Sequence, residues 1–170
     1  MKETSRIKLV PVNESDAEFI FEMMQDKDYQ KYYLERLIPK NLNETKNGIK
    51  KSVKEMKNKF SYYFIIKKGK TRIGIVEVYK IMQKDKRCSI GYGIKKEYWG
   101  KGYGTLACKL GVNFIKTKLK LHSIEAVTEP NNIASCKVLE KNGFEKIGII
   151  KDYYLNKGKY VNRTLYWKII

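Results

Sequence analysis

Residues 94–105 read IKKEYWGKGYGT, and this stretch decides how the rest of the chain is interpreted. A strand pattern ends at Ile94, a turn rich in lysine and glycine follows, and a helical pattern begins near Tyr103. The first turn of a helix has unpaired N–H groups at the positive end of its dipole, and glycine lets the backbone approach oxygen atoms closely. The pattern predicts a diphosphate site, although it matches neither the Walker spacing nor G-x-G-x-x-G. The alternative is a plain glycine-rich connection.

The strand before this turn contains two glycines, Gly91 and Gly93. Glycine inside a strand marks a bulge, a bend or the close approach of another backbone. Placed directly before an anion-binding turn, the pair favours a strand that splays open and receives an extended, amide-bearing ligand by strand-like hydrogen bonding. Simple tolerance of glycine is the alternative.

Residues 129–144, which read EPNNIASCKVLEKNGF, follow the next strand pattern. Asn132 is a good N-cap for a short helix, and Ser135 lies one turn further along it, on the same face as Leu139. The Asn-Gly pair at 142–143 ends that helix.

Strand and helix patterns alternate through the rest of the chain. Ser15 and Glu18 have the spacing of a capping box at the start of the first helix. Three further helices are predicted at about 44–59, 103–119 and 132–141, and strands at about 6–12, 61–66, 72–79, 88–94, 123–128, 145–154 and 160–169. The order β-α-α-β-β-β-α-β-α-β-β predicts one α/β domain over residues 1–170, with a mixed sheet.

The composition is strongly basic, with 36 Lys and Arg against 18 Asp and Glu and a net charge of +18. Lysine supplies nearly all of the excess, and the five arginines are scattered. Since base reading and bidentate phosphate binding favour arginine, we expect a general affinity for polyanions and no specific nucleic-acid partner.

Three cysteines, Cys88, Cys108 and Cys136, are odd in number and never spaced C-x-x-C. They indicate reduced thiols in a cytoplasmic protein, with neither a disulfide framework nor a metal site. No run of 18 apolar residues is present, and residues 1–6 precede no apolar stretch. We therefore expect no membrane span and no secretory signal.

Together, the turn at 99–105, the Asn-x-x-Ser at 132–135 and the Glu-Lys-x-Gly-Phe at 140–144 resemble the GNAT superfamily of acetyl-CoA-dependent N-acetyltransferases. The chain looks most like the RimJ/RimL branch, the ribosomal-protein N-terminal acetyltransferases, and the resemblance covers nearly the whole sequence. It implies a mostly antiparallel twisted sheet of about seven strands, flanked by about four helices. It also implies acetyl-CoA as co-substrate, an amine acceptor, and no metal; a homodimer is left open.

The resemblance implies that backbone amides of the turn bind the CoA diphosphate, that the strand before it pairs with pantetheine, and that the following helix flanks the thioester. A strand N–H near Ile94 would bind the oxyanion. The residues so assigned to cofactor binding are Tyr92, Gly93, Ile94, Trp99, Gly100, Lys101, Gly102, Tyr103, Gly104, Thr105, Asn132 and Ser135.

The chain departs from the family at the groups that move protons. Many members have a tyrosine acid where this chain has Leu139, so Ser135 is the predicted acid, acting directly or through water. The branch often has a glutamate where this chain has Ser89. Glu77 is therefore the predicted catalytic base; a solvent-facing carboxylate paired with lysine is the alternative reading of Glu77, and Glu129 is a third option for the base.

The acceptor is predicted from the acidity of amines and from charge. An N-terminal α-amine, with a pKa of about 7.7–8.0, is partly neutral near pH 7.5, whereas a lysine or polyamine amine is almost fully protonated. A weak base and an excess of cations therefore favour the N-terminus of an acidic protein or peptide. A small-molecule amine acceptor and a non-catalytic CoA- or polyanion-binding module are the alternatives.

Overall fold

The computed structural model describes residues 7–170, which form one seven-stranded sheet and five helices. The helices are α1 Ala17–Gln25, the single-turn α2 Lys27–Gln30, α3 Leu42–Lys57, α4 Tyr103–Phe114 and α5 Ile133–Lys141. The strands are β1 Ile7–Pro11, β2 Tyr62–Lys68, β3 Thr71–Met82, β4 Arg87–Ile94, β5 Ser123–Thr128, β6 Glu145–Asn156 and β7 Lys159–Ile169. Arg6, where the first strand was expected to begin, lies outside the described residues.

The strand order is β1-β2-β3-β4-β5-β7-β6, and every neighbouring pair is antiparallel except β4 with β5. The predicted α/β class with a mixed, mostly antiparallel sheet is confirmed. The fifth helix is α2, which the sequence pattern did not predict.

Apolar side chains bury both faces of the sheet. One core joins α4 and α5 to strand residues such as Val76 and Ile90, and the other joins α1 and α3 to residues such as Ile65 and Ile75. Successive side chains of a strand point to opposite faces, so the two helical layers receive alternate residues of the central strands. Among the residues from 7 to 170, no helix has both the length and the apolar character needed to cross a membrane.

The prediction of the cap of the first helix is wrong. The capping box is formed by Asn13 and Asp16, not by Ser15 and Glu18: Asn13 N–H donates to Asp16 Oδ2 at 2.9 Å. A 3-10 turn over Glu14–Asp16 comes before α1, and Arg72 binds the buried Asp16 carboxylate at 2.6 Å, which fixes that earlier start.

The fourth helix is also shorter than predicted. It ends at Phe114 and continues as a π turn over Ile115–Leu119. Its buried face contains Ala107, Cys108 and Gly111, whereas Leu110 and Phe114 are only half-buried.

Candidate active site

A fork between β4 and β5 forms the centre of the site. The two strands pair only where Arg87–Ser89 meets Ser123–Glu125, and beyond this point β4 continues to Ile94 with no strand of residues 7–170 paired to it on that side. The sheet therefore opens along the strand that carries Gly91 and Gly93.

Backbone polar groups of β4 face this fork. Lys95 N–H donates to Ile73 O at 2.9 Å, and alternate residues of an antiparallel strand face the same partner. By this alternation Gly91 and Gly93 direct their N–H and C=O groups to β3, whereas Tyr92 and Ile94 direct theirs to the fork. An extended ligand could pair with the N–H and C=O of Tyr92 and with the N–H of Ile94, and Gly93 would contribute space rather than hydrogen bonds.

The turn that leads from the fork into α4 contains two residues with left-handed backbone conformations. Gly100 has φ +72° and Gly102 has φ +80°, values that other residues adopt only with strain. Gly102 is the N-cap of α4, no side chain caps the helix, and its first turn contains no acidic residue. The N-terminus of α4 thus presents unpaired N–H groups at the positive end of the helix dipole.

Side chains next to these glycines hold the turn in place. Trp99 Nε1 donates to Ile94 O at 2.6 Å, which ties the turn to the end of β4. Lys101 Nζ donates to Glu97 O at 3.0 Å and so keeps a positive charge beside the helix N-terminus. Asn142 Nδ2 donates to Thr105 O at 3.1 Å and links α5 to the first turn of α4.

The close packing of α4 against α5 explains why position 104 is a glycine. A Cβ added there would lie 3.3 Å from Val138 Cγ2, so this glycine allows α4 to approach α5. Tyr103, the first residue of α4, is buried in the core.

Ser135 lies in the first turn of α5, on the α4–α5 side of the sheet. Asn132 caps this helix by accepting from Ser135 N–H at 3.1 Å. The Tyr92 hydroxyl lies 3.1 Å from Ser135 Oγ and donates to Ser135 O at 3.2 Å. Burial raises the pKa of Tyr92, so its hydroxyl stays protonated. The two hydroxyls form a pair that connects β4 to α5, while Leu139 is buried in the core.

Glu77 lies on the opposite side of the sheet, facing α1–α3. It pairs with Gly91 in the strand register, and a Cβ at Gly91 would lie 3.7 Å from Glu77 Oε2. Its carboxylate has no ion pair or hydrogen bond with any residue between 7 and 170. Burial raises the pKa of Glu77 to about 7, and the phenols of Tyr29, Tyr33 and Tyr63 lie close enough for its charge to raise their pKa values.

Ser89, which stands where the family branch often has a glutamate, is buried at the base of the fork. Its hydroxyl donates to Glu125 Oε1 at 3.2 Å. Glu125 belongs to β5, so a second carboxylate lies on this face beside the fork. Glu129, the other predicted option for a base, follows the end of β5.

Tyr29 belongs to neither the catalytic nor the cofactor-binding residues predicted from the sequence, yet it lies directly against the site. Its ring lies against β4 so closely that a Cβ at Gly93 would overlap the phenol oxygen and lie 2.9 Å from Cζ. The group that approaches this glycine is therefore a side chain from α2. The Tyr29 hydroxyl is buried and, within the described part of the chain, no partner meets the geometry of a hydrogen bond.

Two arginines lie against the ring of Tyr154 in β6, on the side of the sheet that carries Glu77 and the tyrosines around it. The guanidinium carbons of Arg36 and Arg163 lie 5.0 and 5.3 Å from its ring centroid. Arg163 is only 5% exposed, and Asn162 O, at 2.8 Å, is its one hydrogen-bond acceptor among residues 7–170, where it has no carboxylate partner. Arg36 donates to Leu155 O and so connects the early helices to the β6–β7 hairpin.

The residues around the fork fit a long ligand that carries both phosphates and amides. The α4 N-terminus suits paired phosphates, and the free edge of β4 suits an amide-bearing arm. At the fork, one face of the sheet carries the Tyr92–Ser135 hydroxyl pair, and the other carries the Glu77 carboxylate. No three His, Cys, Asp or Glu side chains within residues 7–170 gather where they could hold a metal ion.

Comparison with known proteins agrees with this arrangement. The sequence profile of the acetyltransferase (GNAT) domain family matches residues 6–145. An uncharacterized N-acetyltransferase, p20, of Bacillus licheniformis is 29% identical over 164 residues, which cover 94% of this chain and 90% of that protein.

Two solved structures share the fold. The ribosomal-protein-S5-alanine acetyltransferase of Vibrio fischeri has a TM-score of 0.83 and 26% identity over 96% of this chain and 92% of that one. The spermidine N-acetyltransferase of Vibrio cholerae, solved with CoA and spermine, has a TM-score of 0.86 and 20% identity over 97% of this chain and 96% of that one. The resemblance to the RimJ/RimL branch is confirmed.

Proposed function

This chain belongs to the GNAT family of acetyl-CoA-dependent N-acetyltransferases, and on that premise we propose that its acceptor is the N-terminal α-amine of a protein or peptide. The observation that carries the proposal is Glu77, a carboxylate without a cationic partner that lies among tyrosines next to the fork. A site built around a weak base suits an amine that is already partly neutral near pH 7.5.

Acetyl-CoA supplies an activated thioester: transfer forms an amide C–N bond, breaks the C–S bond, removes one proton from nitrogen and adds one to sulfur. On this chain, the α4 N-terminus with Gly100 and Gly102 would bind the diphosphate. The Tyr92 and Ile94 backbone groups would bind the pantetheine amides, with Asn132 and Ser135 beside the thioester.

Glu77 would accept the proton that the amine loses, directly or through one water molecule. With its pKa near 7, the carboxylate is about half ionised at neutral pH and strong enough to take a proton from an amine that is forming a bond. The alternative of a lysine-paired carboxylate receives no support, because no lysine pairs with it among residues 7–170.

Ser135 would donate a hydrogen bond, and then a proton, toward the sulfur. A lone serine hydroxyl is a weak acid, but the Tyr92 hydroxyl lies 3.1 Å from Ser135 Oγ and can donate to it by turning away from Ser135 O. The Tyr92–Ser135 pair would thus replace the tyrosine that many family members have at the position of Leu139.

Arg163 supports an acidic acceptor. A buried guanidinium without a carboxylate partner is costly to the free protein, and a carboxylate delivered by the substrate would offset that cost. Arg36 beside the same tyrosine ring adds a second positive charge. An aspartate or glutamate in the first residues of the acceptor fits this surface.

Spermidine is the second candidate, because a spermidine acetyltransferase shares the fold at a TM-score of 0.86. A polyamine carries several ammonium groups, which favour several carboxylates around them. Near the fork, Glu77 and Glu125 face a surface that also holds Arg36 and Arg163. This mixture of charges favours a peptide over a polyamine.

The test is acceptor-dependent release of CoA thiol, measured with three acceptors and acetyl-CoA at pH 7.5. They are a peptide with Asp or Glu at positions 2–4, the same peptide with Lys there, and spermidine; the Nα-acetylated acidic peptide is the control. We expect the highest kcat/KM with the acidic peptide and no turnover of the control. Faster turnover of spermidine than of either peptide contradicts the proposal. Binding of CoA without thiol release for any acceptor would indicate a non-catalytic module.

A cytoplasmic location is part of the same proposal. It rests on Cys88, Cys108 and Cys136, which are all free thiols in the structure.

A further inference from the structure

We propose that Tyr29 is a catalytic residue whose hydroxyl donates a hydrogen bond to the acetyl oxygen of acetyl-CoA bound in the fork. This inference rests on the proposed function. It concerns the binding of the acetyl group and not the identity of the acceptor.

The first argument is that the hydroxyl has no role in the fold. Tyr29 packs in the core beneath α1 and α3, where a phenylalanine ring would fill the same volume. Its oxygen is buried, and no group among residues 7–170 meets the full geometry of a hydrogen bond with it; the Tyr33 hydroxyl is near enough for only a weak one, an arrangement that costs stability until a better partner arrives. Packing therefore explains the ring but not the hydroxyl.

The second argument is position. The phenol oxygen lies against Gly93, and the strand residues on either side of this glycine, Tyr92 and Ile94, direct their backbone groups to the fork. A carbonyl oxygen bound there can receive a strand N–H along the edge and the phenol O–H from the face. Only glycine at position 93 leaves room for the phenol.

The third argument is that the hydroxyl can act as a donor. Burial raises the pKa of Tyr29, and the nearby charge of Glu77 raises it further, so the phenol keeps its proton. Tyr33, whose ring centroid lies 5.4 Å away, and Tyr63 are the other titratable groups that face it, and both are phenols with raised pKa values. A neutral donor next to the acetyl oxygen would stabilise the negative charge that develops on it.

The fourth argument is that the α2 turn, which carries the Tyr29 ring, is held in place before any ligand binds. Asp26 Oδ1 accepts from Tyr29 N–H at 2.9 Å and so caps the single turn of α2. Lys96, which directly follows β4, forms an ion pair with Asp28 of the same turn. Donors that are fixed before the reaction contribute most to catalysis, because they need no reorganisation.

The experiment is the substitution Tyr29→Phe, with Tyr62→Phe as the matched control. Tyr62 stacks on Phe64 in the other core and belongs to no part of the site. Three quantities are measured: the Tm of the ligand-free protein, the Kd values of CoA and acetyl-CoA by calorimetry, and kcat.

We expect the Tm of Tyr29→Phe to rise by about 2–4 °C, because an unpaired buried hydroxyl is removed. Its Kd for CoA, which has no acetyl oxygen, stays within about twofold, whereas its Kd for acetyl-CoA rises about tenfold, as expected for one lost hydrogen bond. Its kcat falls on the order of 10²-fold. Tyr62→Phe leaves both Kd values and kcat unchanged.

A fall in Tm for Tyr29→Phe would show that the hydroxyl already has a partner, and would overturn the inference. An unchanged ratio of the two Kd values would overturn it as well, because the hydroxyl would then not reach the acetyl group. A changed ratio in a protein that acetylates no N-terminal peptide would uphold the role of Tyr29 and reject the proposed acceptor, so the two failures can be told apart.

Discussion

Replacing Glu77 with glutamine tests the reasoning on which the proposed mechanism depends. Burial raises the pKa of this carboxyl from 4.5 to about 7. At about 1.4 kcal/mol per pKa unit, the folded state disfavours the ionised form by about 3 kcal/mol. Between pH 4.5 and 7 the folded protein binds more protons than the unfolded chain, so its free energy of unfolding falls as pH rises and levels off above 7.

We therefore expect Glu77→Gln to be more stable than the wild type at pH 8, by about 2–3 kcal/mol, and nearly equal to it at pH 4. For a chain of this length the Tm would rise by about 5–10 °C at pH 8. Thermal unfolding at both pH values measures the difference, and Glu18→Gln, an exposed carboxylate on α1, is the control that should show none.

The substitution Glu77→Gln should lower activity, although it should raise stability. The kcat/KM of the wild type with an N-terminal peptide should rise about 100-fold per pH unit below pH 7 and about tenfold per unit just above it, because the base and the amine must each lose a proton. Glu77→Gln should lose about 10²–10⁴-fold and keep only the rise at about pH 7.7–8.0 that belongs to the amine. A variant that is no more stable at pH 8, or that keeps the rise near pH 7, would refute the argument from burial.

Three further substitutions test other parts of the site. Gly102→Ala should cost about 1–2 kcal/mol of stability and weaken CoA binding in calorimetry, because its φ of +80° strains a residue with a Cβ; Gly48→Ala, in open space on α3, should not destabilise. Ser135→Ala should lower kcat about 10–100-fold in stopped-flow assays and leave the Kd of CoA within about threefold, and an unchanged kcat would remove Ser135 from the mechanism. Arg163→Gln should raise the KM of an acidic peptide about tenfold or more but not that of a neutral one; an equal rise for both would contradict a role in charge recognition.

Local sequence patterns were enough to predict most of the fold. The strand at 123–128 was predicted with its observed ends, because an apolar run bounded by polar residues leaves little ambiguity. Gly91 and Gly93 correctly indicated that β4 splays from its neighbour. At the first helix, by contrast, two capping patterns two residues apart competed, and the buried ion pair of Asp16 with Arg72 decided between them.

The environment of the candidate site depends on contacts between distant parts of the chain. Glu77 lies near Tyr29 of α2 and Tyr63 of β2, which only the folded sheet and its helical layer bring together. No local pattern reveals that a carboxylate will lack a cation, or that a phenol will lie against Gly93. The glycine-rich turn and the splayed strand could be predicted from the sequence, and Glu77 could be named as a candidate base, but the burial of Glu77 and the position of the Tyr29 ring could not.

The fork divides the sheet into two halves, because β4 and β5 pair over only three residues each. Helix α4 packs on β1, β3 and β4, whereas α5 packs on β5 and β6. Beyond the three residues of each strand that pair, several contacts join the halves: the packing of α4 against α5, the Tyr92–Ser135 hydroxyl pair, and the hydrogen bonds of Ser89 with Glu125, Asn142 with Thr105 and Arg36 with Leu155. A ligand that reaches from Gly102 on one half to Ser135 on the other would add a further link across the fork, where the backbone pairing is shortest. Because such a ligand binds only the folded protein, it should also stabilise it against unfolding.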